Sequence, residues 1–141
     1  MRGWKFPASD ATTAPQAFLA GLSSQQQPVL VRFSVDGTAV ARALTTLHFT
    51  CTSGADFYQP DEFRKLRLST RRHFRASFTL PPQTVDPTTS VVVSGSVIGQ
   101  VDRAHSRASG TWRQTAVERN PSTNAVTDTC NTGLISFSVH R

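Results

Sequence analysis

Hydrophobic and polar residues alternate along most of this chain with the two-residue period of a pleated strand. Over residues 28–35, Val29, Val31, Phe33 and Val35 share one face, and Leu30, Arg32 and Ser34 the other. Over residues 73–80, Phe74, Ala76, Phe78 and Leu80 oppose His73, Arg75, Ser77 and Thr79. Further strands are predicted at 17–22, 40–50, 91–101, 108–119 and 126–140. In the third strand Leu47, Phe49 and Cys51 share a face, and in the last Ile135, Phe137 and Val139 do. Turn residues separate these runs: Asp36-Gly37 is a hairpin signal, Pro81-Pro82 ends a strand, and residues 120–124 form a polar hairpin tip. Residues 52–59 and 83–90 read as loops. At Pro60-Asp61-Glu62 the acids precede Arg64 and Lys65, an order that complements a helix dipole and predicts one short helical turn from Asp61 to Leu66.

Glycines inside strands carry position-specific expectations. Gly95 and Gly99 mark a bulge or the close approach of another backbone or a large ring, and Gly133 marks a bulge in the last strand. Trp112 is assigned to the core, facing residues that leave room for an indole. About eight strands with that one helical turn predict an all-β fold, an antiparallel β-sandwich or flattened barrel over residues 17–141. An Ala/Thr/Pro-rich N-terminal tail, residues 1–16, precedes it, with Trp4 and Phe6 tucked onto the domain.

Composition supports that class. The chain has 141 residues, enough for one domain with a substantial core. One Met and two Glu leave few strong helix formers. The two cysteines, Cys51 and Cys130, lie in strand-like segments, and no CxxC or HxxxH spacing offers them a zinc site. They read as a disulfide, and a strand that carries Cys51 inward suits a bridge between two sheets; the bond in turn predicts an oxidising compartment. Residues 1–20 lack a secretory apolar core, being interrupted by Lys5, Pro7, Asp10 and Pro15, so export implies a leader absent from this sequence. No run approaches transmembrane length.

The net charge is +6, with thirteen arginines among fifteen basic residues. The charge reads first as ordinary solvated faces. One stretch is denser: between Phe63 and Arg75 lie Arg64, Lys65, Arg67, Arg71, Arg72 and Arg75, interleaved with Phe63 and Phe74. Alternation explains the aromatics as core and the cations as a wet face. An anionic glycan, or less favourably a single-stranded nucleic acid, is the ligand such a face would hold. Phe57 and Tyr58, with Trp4, are candidates for stacking against sugar rings or for capping the core. Catalytic patterns are missing: Ser94 and Ser96 lack a nucleophile elbow, no His sits beside a recognisable triad partner, and Asp61 next to Glu62 reads as a cap rather than an acid/base pair.

Several segments together resemble a known group. These are Ala17-Phe18-Leu19-Ala20-Gly21-Leu22-Ser23 before a Pro-Val strand, Asp36-Gly37, Cys51 with Gly54, and Gly95 with Gly99. Two more are Ser109-Gly110-Thr111-Trp112-Arg113, and Asp128-Thr129-Cys130-Asn131-Thr132-Gly133 before Phe137. The pattern resembles the small secreted single-disulfide β-sandwich proteins of actinobacteria, a group of unassigned function, and is most specific at its C-terminal motif. The resemblance implies export, a Cys51–Cys130 bond and a sandwich, and it carries no catalytic residue. The expectation is a non-catalytic, secreted or cell-envelope module for interaction or structure, with no cofactor and no metal. A carbohydrate- or polyanion-binding module using the Arg64 to Arg75 face is the alternative. An anionic glycan or a cell-surface protein is the partner either reading implies.

Overall fold

The computed structural model describes residues 18–141. The tail assigned to residues 1–16, with Trp4 and Phe6, lies outside the described residues. The described chain forms ten strands, all paired antiparallel, and no helix: β1 (Phe18–Ser23), β2 (Pro28–Phe33), β3 (Ala39–Cys51), β4 (Asp56–Arg67), β5 (His73–Thr79), β6 (Gln83–Asp86), β7 (Thr89–Val101), β8 (Arg107–Arg119), β9 (Val126–Asn131) and β10 (Ile135–His140).

Six of them close a ring in the order β1, β2, β3, β9, β8, β10 and back to β1. Closure removes the sheet edges that would otherwise be left unpaired. The remaining strands extend from the ring: β4 lies along the free edge of β3, β7 along β8, and β5 and β6 along β7. The architecture is therefore a flattened barrel with outer strands, within the predicted class.

Alternation places the core. Val29, Val31, Phe33, Leu47, Phe49, Phe74, Trp112, Phe137 and Val139 are buried. The two strand glycines lie opposite rings, as one of their sequence readings holds. Gly99 pairs with Phe74 and Gly95 with Phe78, and a Cβ at either would meet that ring at 2.3 and 2.8 Å. The missing side chains are the space the phenyl rings occupy.

The structure departs from the sequence reading at five points. The helical turn expected from Asp61 to Leu66, and the loop at 52–59 before it, are one long strand. β4 pairs with β3 from Thr50↔Asp56 to Ala39↔Arg67. Its inward positions Phe57, Gln59, Asp61 and Phe63 hold two polar residues, which hide the period. Pro60 is tolerated because, among the described residues, β4 pairs only with β3, so its other edge needs no ladder donor there. Glu62 instead accepts from Arg42 Nε across the strand pair at 3.1 Å and from Arg64 two residues along its own strand.

Residues 83–90, read as a loop, include β6. Val35 is exposed, because β2 ends at Phe33 and Val35 belongs to the turn, where Gly37 has φ of 73°. Residues 126–140 run beside β8 as expected but break at 132–134, where Gly133 has φ of 67°. Finally, the disulfide links direct neighbours rather than two layers: Cys51 and Cys130 are register partners on β3 and β9, with S–S 2.01 Å.

Candidate functional site

The inner face above the packed core stays open on one side. Here β3 and β4 face β7 and β8 across a cleft of about 570 Å³, with β5 and β6 at its mouth. Register explains which side chains reach it. On β8, Trp112, Gln114, Ala116 and Glu118 point the same way, opposite Val97, Gly95, Val93 and Val91 of β7. Trp112 fills the interior, packing edge-on to Phe63 at 5.5 Å and Phe137 at 6.2 Å. Beyond Trp112 the side chains shorten, and the space between the walls is left to the cleft.

Its walls are apolar and aromatic. Phe57 stacks on buried Phe49 with ring centroids 4.7 Å apart and planes 9° from parallel. Phe78 and Val93 face them from β5 and β7. The polar lining is Gln59, Asp61, Glu62, Gln83, Gln114 and Glu118, with Gln114 hydrogen-bonded to Asp61. Asp61 is held in place: Trp112 Nε1 donates to one carboxylate oxygen at 2.9 Å, and the Glu62 amide donates to the other at 2.9 Å. Gln114 is buried, and its backbone is tied to Thr132, which donates to its carbonyl at 3.1 Å and accepts its N–H through the hydroxyl at 3.0 Å.

Burial raises the Asp61 pKa from its ordinary 3.8, and the hydrogen bonds from Trp112, Glu62 and Gln114 oppose that rise without cancelling it. The sign for stability follows. Just above the ordinary carboxylate range the folded state holds the Asp61 proton more tightly than the unfolded chain does. This group therefore makes stability fall as pH rises through that window. The Asp61→Asn variant should lose this part of the decline, read from urea midpoints at several pH values between about 3.5 and 6. A variant profile as steep as the parent's would show that Asp61 titrates as an ordinary exposed acid.

The other perturbed carboxylates shape turns. Asp36 sits at about 2 because Thr38 and Ser34 donate to it in the β2–β3 turn. Asp128 is lowered by Ser53 and Thr52, which lash the β3–β4 turn to β9. Asp128 also lies near both cysteine sulfurs. With the sulfurs joined to each other and the carboxylate accepting hydrogen bonds, this group is an anchor for the turn and not a ligand set.

The sequence-predicted residues divide among several places. Arg64, Lys65 and Arg67 of β4 join Arg32 and Arg42 along a shallow groove of about 430 Å³ on the outer face of β2, β3 and β4. There Arg32, Arg42 and Arg64 stand side by side in register across three strands. Arg71 and Arg72, in the β4–β5 turn, line a different hollow with Arg107 and Asp102. Arg72 Nε donates to the Val101 carbonyl at 3.3 Å. Arg75 is exposed on β5, in neither group. The basic stretch is thus contiguous in sequence and split in space.

Phe57 and Tyr58 part likewise, since neighbours on a strand face opposite ways. Phe57 turns into the cleft, whereas Tyr58 stacks on His48 outside at 4.5 Å. His48 Nε2 meets Asp56 Oδ2 at 3.0 Å on that outer face. The β3–β4 pairing creates this contact between residues eight apart. Asp61, Gln114 and Glu118 were not singled out as a site by sequence. The available signal was the pair of polar residues, Gln59 and Asp61, at inward positions between Phe57 and Phe63.

No protein-family model, no curated protein and no solved structure matches the chain. Among the described residues, no helix is long and apolar enough to cross a membrane.

Proposed function

We propose that this protein is a non-catalytic binding module of the cell exterior or envelope, and that its cleft takes a small ligand with an apolar body. The observation that carries this reading is the cleft itself: apolar walls around a few convergent polar groups, in the size range of small-molecule sites. The exported address is supported by the disulfide, because such bonds persist in oxidising compartments. A non-catalytic role is supported by the cleft's ionisable groups, in which neither a nucleophile nor a histidine stands beside a carboxylate among the described residues.

A panel of small aromatic and aliphatic compounds, followed by calorimetry, tests the reading. Saturable one-to-one binding is expected, and Val93→Trp, which fills the cleft from β7, should abolish it while leaving the fold intact by circular dichroism. Unchanged binding to that variant would place the ligand elsewhere.

The groove on the opposite face supports a second reading, recognition of a sulfated or uronic polysaccharide. Arg32, Arg42, Arg64, Lys65 and Arg67 line it, with Glu62 paired to Arg42 and Arg64, and arginine forks suit such oxyanions. Retention on heparin should weaken as salt rises. The pair Arg64→Ala with Arg67→Ala should elute at clearly lower salt than Arg71→Ala with Arg72→Ala. Equal elution of the two variants would show that only overall charge is being read.

A further inference from the structure

The ionisable groups lining the cleft have one sign. Asp61, Glu62 and Glu118 line it, and no Lys, Arg or His does among the described residues. This runs against the whole chain, whose net charge is +6, so the local character is not a by-product of composition. Glu62 is already spent on Arg42 and Arg64 at the outer face. Asp61 and Glu118 remain, with no basic partner within ion-pair distance among the described residues.

Asp61 is the better placed of the two. An ionised carboxylate offers about four acceptor positions. Trp112 Nε1, the Glu62 amide and the Gln114 side chain take three, and these bonds aim the group while leaving one position open. A partly buried carboxylate beside apolar walls lacks the water that would normally solvate it. A charged donor arriving with a ligand supplies what burial removed. Phe57 and Phe78 line the same cleft, and the electron-rich faces of aromatic rings also favour a cation.

We infer that the cleft selects amphiphilic amines: ligands with an aromatic or aliphatic body seated between Phe57 and Val93 and a protonated amine donating to Asp61. Glu118 sits partly buried on the facing wall, on β8, and adds attraction without direct contact. The inference rests on the cleft reading proposed above and adds the sign and chemistry of the ligand's head group.

Three probes with one body separate the two claims: phenylbutylamine, phenylbutanol and phenylbutyrate, titrated calorimetrically into the full chain at neutral pH. The amine should bind about tenfold or more tighter than the alcohol, the usual advantage of a charge-assisted hydrogen bond, and the acid should bind weakest. In Asp61→Asn the amine should fall to the level of the alcohol, whose own affinity stays within about twofold, as expected when a charged partner alone is lost. Glu118→Gln, at a less enclosed position, should reduce the preference by a smaller factor, and it keeps the test informative should Asp61→Asn fold poorly. Equal binding of amine and alcohol would overturn the inference while leaving the cleft as a binding site. So would an amine preference that survives both variants. Binding by none of the three would overturn the inference and the cleft reading together.

Discussion

Replacing Cys51 and Cys130 together by alanine is expected to cost about 4.5 kcal/mol of stability, the chain-entropy value for a closed loop of this length. In a domain of this size that lowers the thermal midpoint by roughly 15 °C. The location of the bond makes a large loss credible. β9 meets β3 through only two register pairs, Thr50↔Asn131 and Cys51↔Cys130, so the ring of six strands is held at that seam by few backbone hydrogen bonds. Cys130 and Phe49, one on each side of the seam, both line the cleft. Its loss should therefore loosen the ligand site as well as the barrel. Scanning calorimetry of the double variant, beside the parent with and without reductant, measures the effect. A midpoint shift of only a few degrees would mean that β3 and β9 hold together unaided.

The second large effect belongs to Trp112. Its side chain is 1% exposed, and Trp112→Ala should cost about 3–5 kcal/mol from lost burial and the cavity left behind. It should also deprive Asp61 of a donor, since Trp112 Nε1 supplies one of its hydrogen bonds. Trp112→Phe isolates that second part. It keeps an aromatic ring in the core but has no N–H, so a further cost of about 1–3 kcal/mol for the under-satisfied carboxylate is expected. In an Asp61→Asn background the cost of Trp112→Phe should shrink, because a neutral amide tolerates the missing donor better than a charge does. Urea midpoints of the four proteins in that cycle give the coupling. Strict additivity would show that the indole–carboxylate contact does not steady the interior.

The strands whose inward positions are uniformly apolar were legible from sequence: β2, β5 and β10 announce themselves by Val29, Val31 and Phe33, by Phe74, Ala76 and Phe78, and by Ile135, Phe137 and Val139. β4 was not, because the residues that make the cleft polar, Gln59 and Asp61, are the ones that interrupt its period. A site built into a strand disguises that strand. The cysteines could be paired on paper, yet their adjacency in one sheet depends on how residues 126–131 leave β8 to meet β3, which no local pattern records. The arginines show the converse. Six cations between Phe63 and Arg75 look like one surface in a linear reading, but β4, a turn and β5 send them to different places. The cations that join Arg64 in the groove, Arg32 and Arg42, come from strands far earlier in the chain.

A binding role for the cleft requires that ligand enter between β4 and the wall of β7 and β8. Proton–nitrogen correlation spectra of the labelled protein, recorded while phenylbutylamine is added, test this most directly. The Trp112 indole N–H, bonded to Asp61, is the reporter. The predicted result is a saturable shift of that resonance together with the amides of Phe57, Glu62 and Gln114, while those of β1 and β2 stay in place. A static indole resonance, with shifts confined to the outer arginine groove or spread over the whole surface, would contradict it.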